Sequence, residues 1–357
     1  MVLRLLVVLS NLLTRQWLKP GRAMHSSRVS VLIPARNEAG NIGLLLERIV
    51  HHDYRELEVI VYDDLSTDDT PGIVREFAHK DPRIRLISGR KMLSGWLGKN
   101  NACHHLSEQA RGDYLLFLDA DVRINEGLIG SGLNHMEQHR LDLLSLFPRQ
   151  IMKGFGEKLS VPAINWILLS LLPLKCTKDC RHASLSAANG QFMLFKASTY
   201  RKYLFHQRFR MTPAEDIAIS RFMKKEGLRI HTLLGGKLIE CRMYTSLKES
   251  LDGFSRNLPA FFGNSMPAGL AFAVVTTLGV LPVALAMGTW PALAYLGAGL
   301  AIRMLVSWQS GQSICFNALT APLQQGVLFW MSLKALVNKQ RKQNIWKGRY
   351  IDKPLPG

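Results

Sequence analysis

Between Val29 and Leu118 four short apolar runs alternate with stretches of helical periodicity, and most of the runs end in polar residues. This alternation constrains the chain more than any other feature, because strands separated by helix-length segments pair in parallel and bury both faces. Val29-Ser-Val-Leu-Ile33 reads as a buried strand with Pro34-Ala-Arg-Asn-Glu38 as its polar exit. Asn41 then caps a helix with Ile42, Leu45, Leu46 and Ile49 at i, i+3, i+4 and i+7. Leu57 to Tyr62 is a second strand ending in Asp63-Asp64, and Pro71 suits the first turn of the next helix, with Ile73, Val74 and Phe77 inward. Strand Ile84 to Ile87, a helix around Lys99 to Ala110 and strand Tyr114 to Leu118 complete the run. The expected class is α/β with a mostly parallel sheet, and such sheets bind ligands at the carboxyl ends of their strands.

Leu115 to Arg123, Leu-Leu-Phe-Leu-Asp-Ala-Asp-Val-Arg, is an apolar run that stops abruptly at two carboxylates. Taken alone, Asp-X-Asp after a strand is as readily an acidic turn. Three strand ends carry polar clusters, however: Pro34 to Glu38, Asp63-Asp64 and Asp119-Ala-Asp121. In one parallel sheet they would face a single crevice. Carboxylates there are costly unless something positive shares them. The chain has neither a glycine fingerprint for dinucleotides nor G-X4-G-K-[ST], so a metal-bridged diphosphate is the remaining way to hold phosphates. Oxygen ligands suit Mg2+ or Mn2+.

With 45 Lys and Arg against 27 Asp and Glu, the formal charge of +18 calls for an anionic partner. No nucleic-acid recognition module is present, so nucleic acid is not expected. Much of the charge lies beside apolar segments, as at Arg15 to Arg28 and Lys339-Gln-Arg-Lys, which suggests a membrane face. The cysteines Cys103, Cys176, Cys180, Cys241 and Cys315 are odd in number and form no close framework, so a reducing compartment is expected. Cys176-X3-Cys180 with His182 lacks a second pair for zinc, and His135 with His139 fits a solvated helix face better than a metal motif.

The domain plan follows from these stretches. Residues 1–24 form a short anchor or interfacial helix, residues 29–257 a catalytic domain, residues 258–340 a membrane region and residues 341–357 a basic tail. Within the membrane region, 267–308 reads as a hairpin broken at Gly288-Thr-Trp-Pro291, and 319–337 is a weaker third segment lying in the interface. Val161 to Leu174 is too short to span and reads as an interfacial helix or lip for a lipid, with a plain core helix as the alternative. The basic tail favours two crossings, a multi-pass membrane protein and a cytoplasmic catalytic domain.

Ser30-Val-Leu-Ile-Pro-Ala-Arg-Asn-Glu38, Val61-Tyr-Asp-Asp-Leu-Ser-Thr-Asp-Asp-Thr70, Gly95-Trp-Leu-Gly-Lys-Asn-Asn-Ala102, Leu116-Phe-Leu-Asp-Ala-Asp-Val122 and Pro213-Ala-Glu-Asp-Ile-Ala-Ile-Ser220 resemble, in order, the blocks of family-two inverting glycosyltransferases with the GT-A fold. The layout is similar to membrane-bound members that glycosylate lipids, such as carotenoid glucosyltransferases and ceramide-glucosyltransferase-like enzymes. The resemblance implies a UDP-sugar donor, a membrane lipid acceptor and a Mg2+ or Mn2+ cofactor. It implies that Pro34, Ala35, Glu38, Asp63, Asp64, Lys99, Asp119 and Ala120 contact the nucleotide sugar, and that Asp121, with Asp119, binds the metal. Asp216 would be the base and Glu215 would orient the acceptor, with Gly190, Gln191 and Trp346 on the acceptor side. Gln343-Asn-Ile-Trp-Lys-Gly-Arg-Tyr350 departs from the Gln/Arg-X-X-Arg-Trp block of processive members, which favours a single transfer. Two other classes stay open at this point: a haloacid-dehalogenase-like phosphohydrolase using Asp119 and Asp121, and an inactive membrane scaffold.

Overall fold

The structure, a computed structural model, describes residues 1–21, 23, 26–90, 94–341, 345–346 and 349–350. The chain divides into two units. One is helical and is assembled from Met1–Gln16, Gln150–Cys176 and Arg242–Asn344; the other holds the main sheet and takes Trp17–Arg149, Thr177–Cys241 and Ile345–Gly357.

The sheet unit is built on β1 (Val29–Ala35), six of whose seven residues are buried. β2 (Leu57–Asp63) and β4 (Tyr114–Leu118) flank it in parallel, with Val29 opposite both Leu57 and Tyr114. β3 (Ile84–Ser88) extends the edge beyond β2, also parallel. On the other side β8 (Phe192–Lys196) is antiparallel to β4 and to β6 (Leu143–Phe147), and β9 (Ile230–Leu234) is parallel to β6. The resulting seven-stranded order is β3-β2-β1-β4-β8-β6-β9. A smaller sheet joins β5 (Val122–Ile124), β10 (Ile239–Cys241) and β7 (Arg149–Gln150), where Arg149 pairs with Glu240. Two short strands follow late in the chain, β11 (Ile345–Trp346) and β12 (Arg349–Tyr350).

After α1 (Val2–Leu13) of the helical unit, the crossovers are α2 (Ile42–Val50), α3 (Thr70–Lys80), α4 (Gly98–Gln109) and α5 (Leu128–Gln138). Ile42, Leu45, Leu46 and Ile49 are fully buried, so the expected stripe is the packed face of α2. The helical unit then supplies α6 (Phe155–Ser160) and α7 (Pro162–Leu171), and α8 (Cys176–Asp179) leads back to the sheet. α9 (Ala197–Tyr203), α10 (Phe205–Arg208) and α11 (Glu215–Lys225) complete the sheet unit. Ile219 and Met223 of α11 pack into one core cluster with Phe117, Phe195, Tyr200 and Phe205.

The rest of the helical unit is α12 (Leu247–Phe261), α13 (Met266–Leu278), α14 (Val280–Met287), α15 (Thr289–Gln309), α16 (Ile314–Leu319) and α17 (Ala321–Arg341). α1 packs against α7 and α15. Asn11 fixes this contact by donating to the carbonyls of Leu169 and Leu172, both at 3.0 Å, and accepting from Leu174 N–H at 2.7 Å. α14 and α15 turn on Gly288, whose φ of 84° is open to glycine and strained for other residues. α14 is apolar all round yet has no buried residue, and Leu285 is 90 % exposed. A surface of that kind suits lipid rather than water. Among the described residues, one helix, α15, is by length and composition able to cross a membrane alone; α12 with α13 passes only as a pair bent by 105°.

Candidate active site

The parallel strands deliver acids to one edge of the sheet. β1 ends at Pro34 and Ala35, β2 leads into Asp64 from Asp63, and β4 leads into Asp119, Ala120 and Asp121. Because β8 runs the opposite way, with Phe192 against Leu118, the residues that lead into it arrive where the parallel strands leave. Gly190 and Gln191 therefore join the acids. α11 starts with Glu215 and Asp216 in its first turn.

Lys99, in the first turn of α4, ties these elements together. Its ammonium lies 2.8 Å from Asp119 Oδ1 and 3.3 Å from Glu215 Oε1. Burial works against the lysine charge, but Asp119 and then Glu215 outweigh it and hold the group well above the ordinary lysine range. Gly190 closes the cluster: its N–H donates to Asp216 Oδ2 at 2.9 Å, and a Cβ there would meet Lys99 Nζ at 2.8 Å. A side chain at Gly190 would press on the ion pair.

The acids differ in surroundings. Glu215 is buried, and its carboxyl is pushed up to about 7 by burial, with Lys99 opposing and Asp216 adding to the rise. Asp216 is half-buried and accepts from the Ile217 N–H at 2.8 Å through its second oxygen. Burial raises Asp216 too, against Lys99 and the N–H groups of Gly190 and Ile217. Asp121 is the least satisfied: its Oδ1 is buried with no hydrogen-bond partner among the described residues. Burial, then Asp119, then Glu38 push this carboxyl up to about 7. Asp119 with Asp121, one oxygen of which is unused, suits a hard divalent cation. Among the described residues no three His, Cys, Asp or Glu side chains form a ready-made metal cluster.

The other expected residues fall into two groups. Asp63 and Asp64 are buried beside β1; Asp63 accepts from Ser66 N–H at 3.3 Å, and Asp64 N–H donates to the Ala35 carbonyl at 2.8 Å. Glu38 receives the Asn41 side-chain amide at 2.9 Å, and its N–H donates to the Thr70 hydroxyl at 2.8 Å. Gln191 is 2 % exposed and its amide donates to Cys241 Sγ at 2.8 Å, so its side chain is engaged within the protein. The Trp346 backbone lies in β11, and its side chain lies outside the described residues. Cys241 was not among the expected site residues. It stands opposite Val122 in the β5–β10 pair and its thiol hydrogen-bonds Asp121. A single cysteine closing a three-residue strand carries no local signal of such a contact.

A sheet of this order with acids gathered at the strand ends has the GT-A fold. Residues 30–204 match the model of glycosyl transferase family 2. It is 26 % identical over 265 residues to a 4,4'-diaponeurosporenoate glycosyltransferase of Staphylococcus haemolyticus, covering 71 % of this chain and 67 % of the relative. The enzyme of the same name from Staphylococcus aureus strain MRSA252 is 26 % identical over 254 residues, covering 70 % and 66 %. Among solved structures, a mannosyltransferase from Pyrobaculum calidifontis in complex with GDP-Man and Mn2+ superposes with a TM-score of 0.57 at 20 % identity, covering 95 % of this chain and 98 % of that one. The matched segment contains Asp119-Ala-Asp121, and the phosphohydrolase reading of that pair is not favoured.

Proposed function

We propose that the protein moves a hexose from a UDP-sugar to a lipid acceptor in the membrane, with inversion and with dependence on a divalent cation. The observation that carries this reading is Asp121, whose Oδ1 is buried with no hydrogen-bond partner among the described residues, beside Asp119 in a sheet edge that also holds Lys99, Glu215 and Asp216. In this reading Pro34, Ala35, Glu38, Asp63 and Asp64 line the base and ribose, and Asp119, Ala120 and Lys99 the ribose and phosphates. Asp121, with Asp119, would hold Mg2+ or Mn2+, which when bound neutralises the departing diphosphate.

Asp216 is the proton acceptor. Its carboxylate is held by two backbone N–H groups, which fix its direction while leaving it half-exposed. In a single displacement the acceptor oxygen forms the new bond to the anomeric carbon as the bond to the diphosphate breaks on the opposite face, and the acceptor proton passes to Asp216. Glu215 orients the acceptor and Lys99 balances the acids. Gly190 stands on the acceptor side.

The names of the curated relatives and the exposed apolar helices support a membrane-soluble acceptor, a carotenoid acid or a similar lipid hydroxyl or carboxyl. The catalytic unit faces the cytoplasm in this reading, with the basic residues Arg15 and Lys19 on that side. The test is transfer of label from UDP-[14C]hexose into an organic-soluble product by purified enzyme and a lipid extract, with Mn2+ or with EDTA. Labelled lipid with Mn2+ alone is expected. Transfer undiminished by EDTA, or label released only as free sugar, would overturn the reading.

A further inference from the structure

Two arginines of the helical unit lie inside it. Arg4 and Arg303 are 8 % and 6 % exposed. Both guanidiniums rest on the same indole, 4.1 and 4.9 Å from the centre of the Trp166 ring, and Arg4 also lies 5.0 Å from Phe272. Their hydrogen-bond partners are neutral. Arg4 donates through Nε and Nη2 to the Ser170 hydroxyl at 3.1 and 2.7 Å, with Met1 Sδ at 4.0 Å. Arg303 donates to the side-chain carbonyl of Gln324, and to that of Gln325 at 3.2 Å. The two glutamine amides are spent elsewhere: Gln325 donates to Thr276 and Thr277, and Gln324 to Asn317 and the Lys158 carbonyl.

Among the described residues no carboxylate pairs with either arginine. The segments that make up this unit contain only Glu157, Glu249 and Asp252. Glu157 is bonded to Arg242 at 2.9 Å, Glu249 accepts from Thr245 N–H at 2.8 Å, and Asp252 pairs with Lys334. Two like charges on one ring repel, and a buried charge without a counter-ion is among the most expensive arrangements a protein holds. Trp166 adds a donor of its own: the residue is 4 % exposed, and Nε1 has no acceptor among the described residues. Each guanidinium offers five N–H donors and the indole one, and the acceptors they meet are one hydroxyl, two amide oxygens and a thioether. The cluster is a set of donors that lacks an anion.

We infer that Arg4, Arg303 and the indole N–H of Trp166 bind the oxyanion head of a membrane amphiphile. The ligand is a lipid because the helices that carry the site present apolar side chains outward: Leu293, Leu296 and Leu300 of α15 are exposed, as are Val2, Leu3 and Leu6 of α1. An oxyanion between the guanidiniums would neutralise both and accept from the indole, with its chains against those side chains. Were these helices embedded in a bilayer, as the proposal has them, buried arginines there would mark a ligand site by default. The site does not depend on the transferase reading, and it holds whether its occupant is the acceptor or a resident lipid.

The test uses the full chain, purified and delipidated in a non-ionic detergent, with binding read by native mass spectrometry and by the thermal-unfolding shift. The probes are dioleoylphosphatidylglycerol, oleate, neutral dioleoylglycerol and inorganic phosphate. Wild type should bind and be stabilised by one or both anionic lipids, oleate marking a carboxylate site and phosphatidylglycerol a phosphate site, and not by dioleoylglycerol. Arg4→Gln and Arg303→Gln should each weaken that binding about tenfold, since each removes a charge-assisted contact. Lys248→Gln, an exposed cation of the same unit, should leave it unchanged. Should the arginine variants fail to fold, Trp166→Phe keeps an aromatic ring and removes the N–H, and it should weaken binding severalfold. Equal lipid affinity in the arginine variants, or in Trp166→Phe where those do not fold, would overturn the site. An equal shift with inorganic phosphate would overturn its assignment to a lipid.

Discussion

The sheet edge and the helical unit each bury charge without fully compensating it, and they do so with opposite sign. At the edge Asp119, Asp121, Glu215 and Asp216 gather around Lys99, the one cation paired with them among the described residues. In the helical unit Arg4 and Arg303 share one indole and no carboxylate. A finished structural core pairs its buried charges or leaves them out. In the two proposals the sign of what is missing sets the ligand: a cation and a cationic transition state for the first region, an anionic lipid head for the second.

Substitutions that alter the charge count at the edge separate catalysis from support. Asp121→Asn keeps the shape and removes the unused charge, and metal-dependent turnover should fall about 10^4-fold. Full activity in that variant would remove the cation from the comparison. Asp216→Asn should lower turnover about 10^3-fold while UDP affinity, measured by calorimetry, changes little. A matching loss of affinity would make Asp216 part of the donor site instead.

Lys99→Met tests the opposite side of the balance. With the acids left uncompensated, denaturant unfolding at neutral pH should show roughly 3 kcal/mol less stability. An unchanged midpoint would mean that Lys99 matters only with substrate bound. Smaller effects are expected from histidines that stay neutral when folded. Burial holds His206 down to about 3 and His231 to about 2, and His231 is lowered further by His135, 2.9 Å away, and by Lys178. Their unfolded value is about 6.5. The unfolded chain therefore binds more protons below that pH, and stability should drop on acidification. Between pH 7 and pH 5 the loss is on the order of 2 kcal/mol for each. His206→Gln should flatten the profile if the variant folds; an unaltered slope would place the proton uptake elsewhere.

The first half of the sheet was legible because its signals are local. Apolar runs such as Val29 to Ile33 end in acids, and the helices between them carry their own stripe. Lys99 and the Asp119, Asp121, Glu215 and Asp216 set were readable because residue type and position within an element coincide. Contacts across long sequence separations were not. The antiparallel run of β8 that brings Gly190 onto Asp216, and the bond from Gln191 to Cys241, depend on pairing that no periodicity encodes. Arg4 reads in sequence as an interruption of an apolar helix. Its meaning comes from Trp166 and Ser170, more than 160 positions away.

The account rests most directly on the carboxylate pair at the end of β4. Its decisive measurement is Mn2+ binding to the purified full chain without donor or acceptor, followed by electron paramagnetic resonance, in wild type and in Asp121→Asn. Saturable uptake by wild type that the variant loses is the predicted result. Equal uptake by both, or none by wild type, would contradict it.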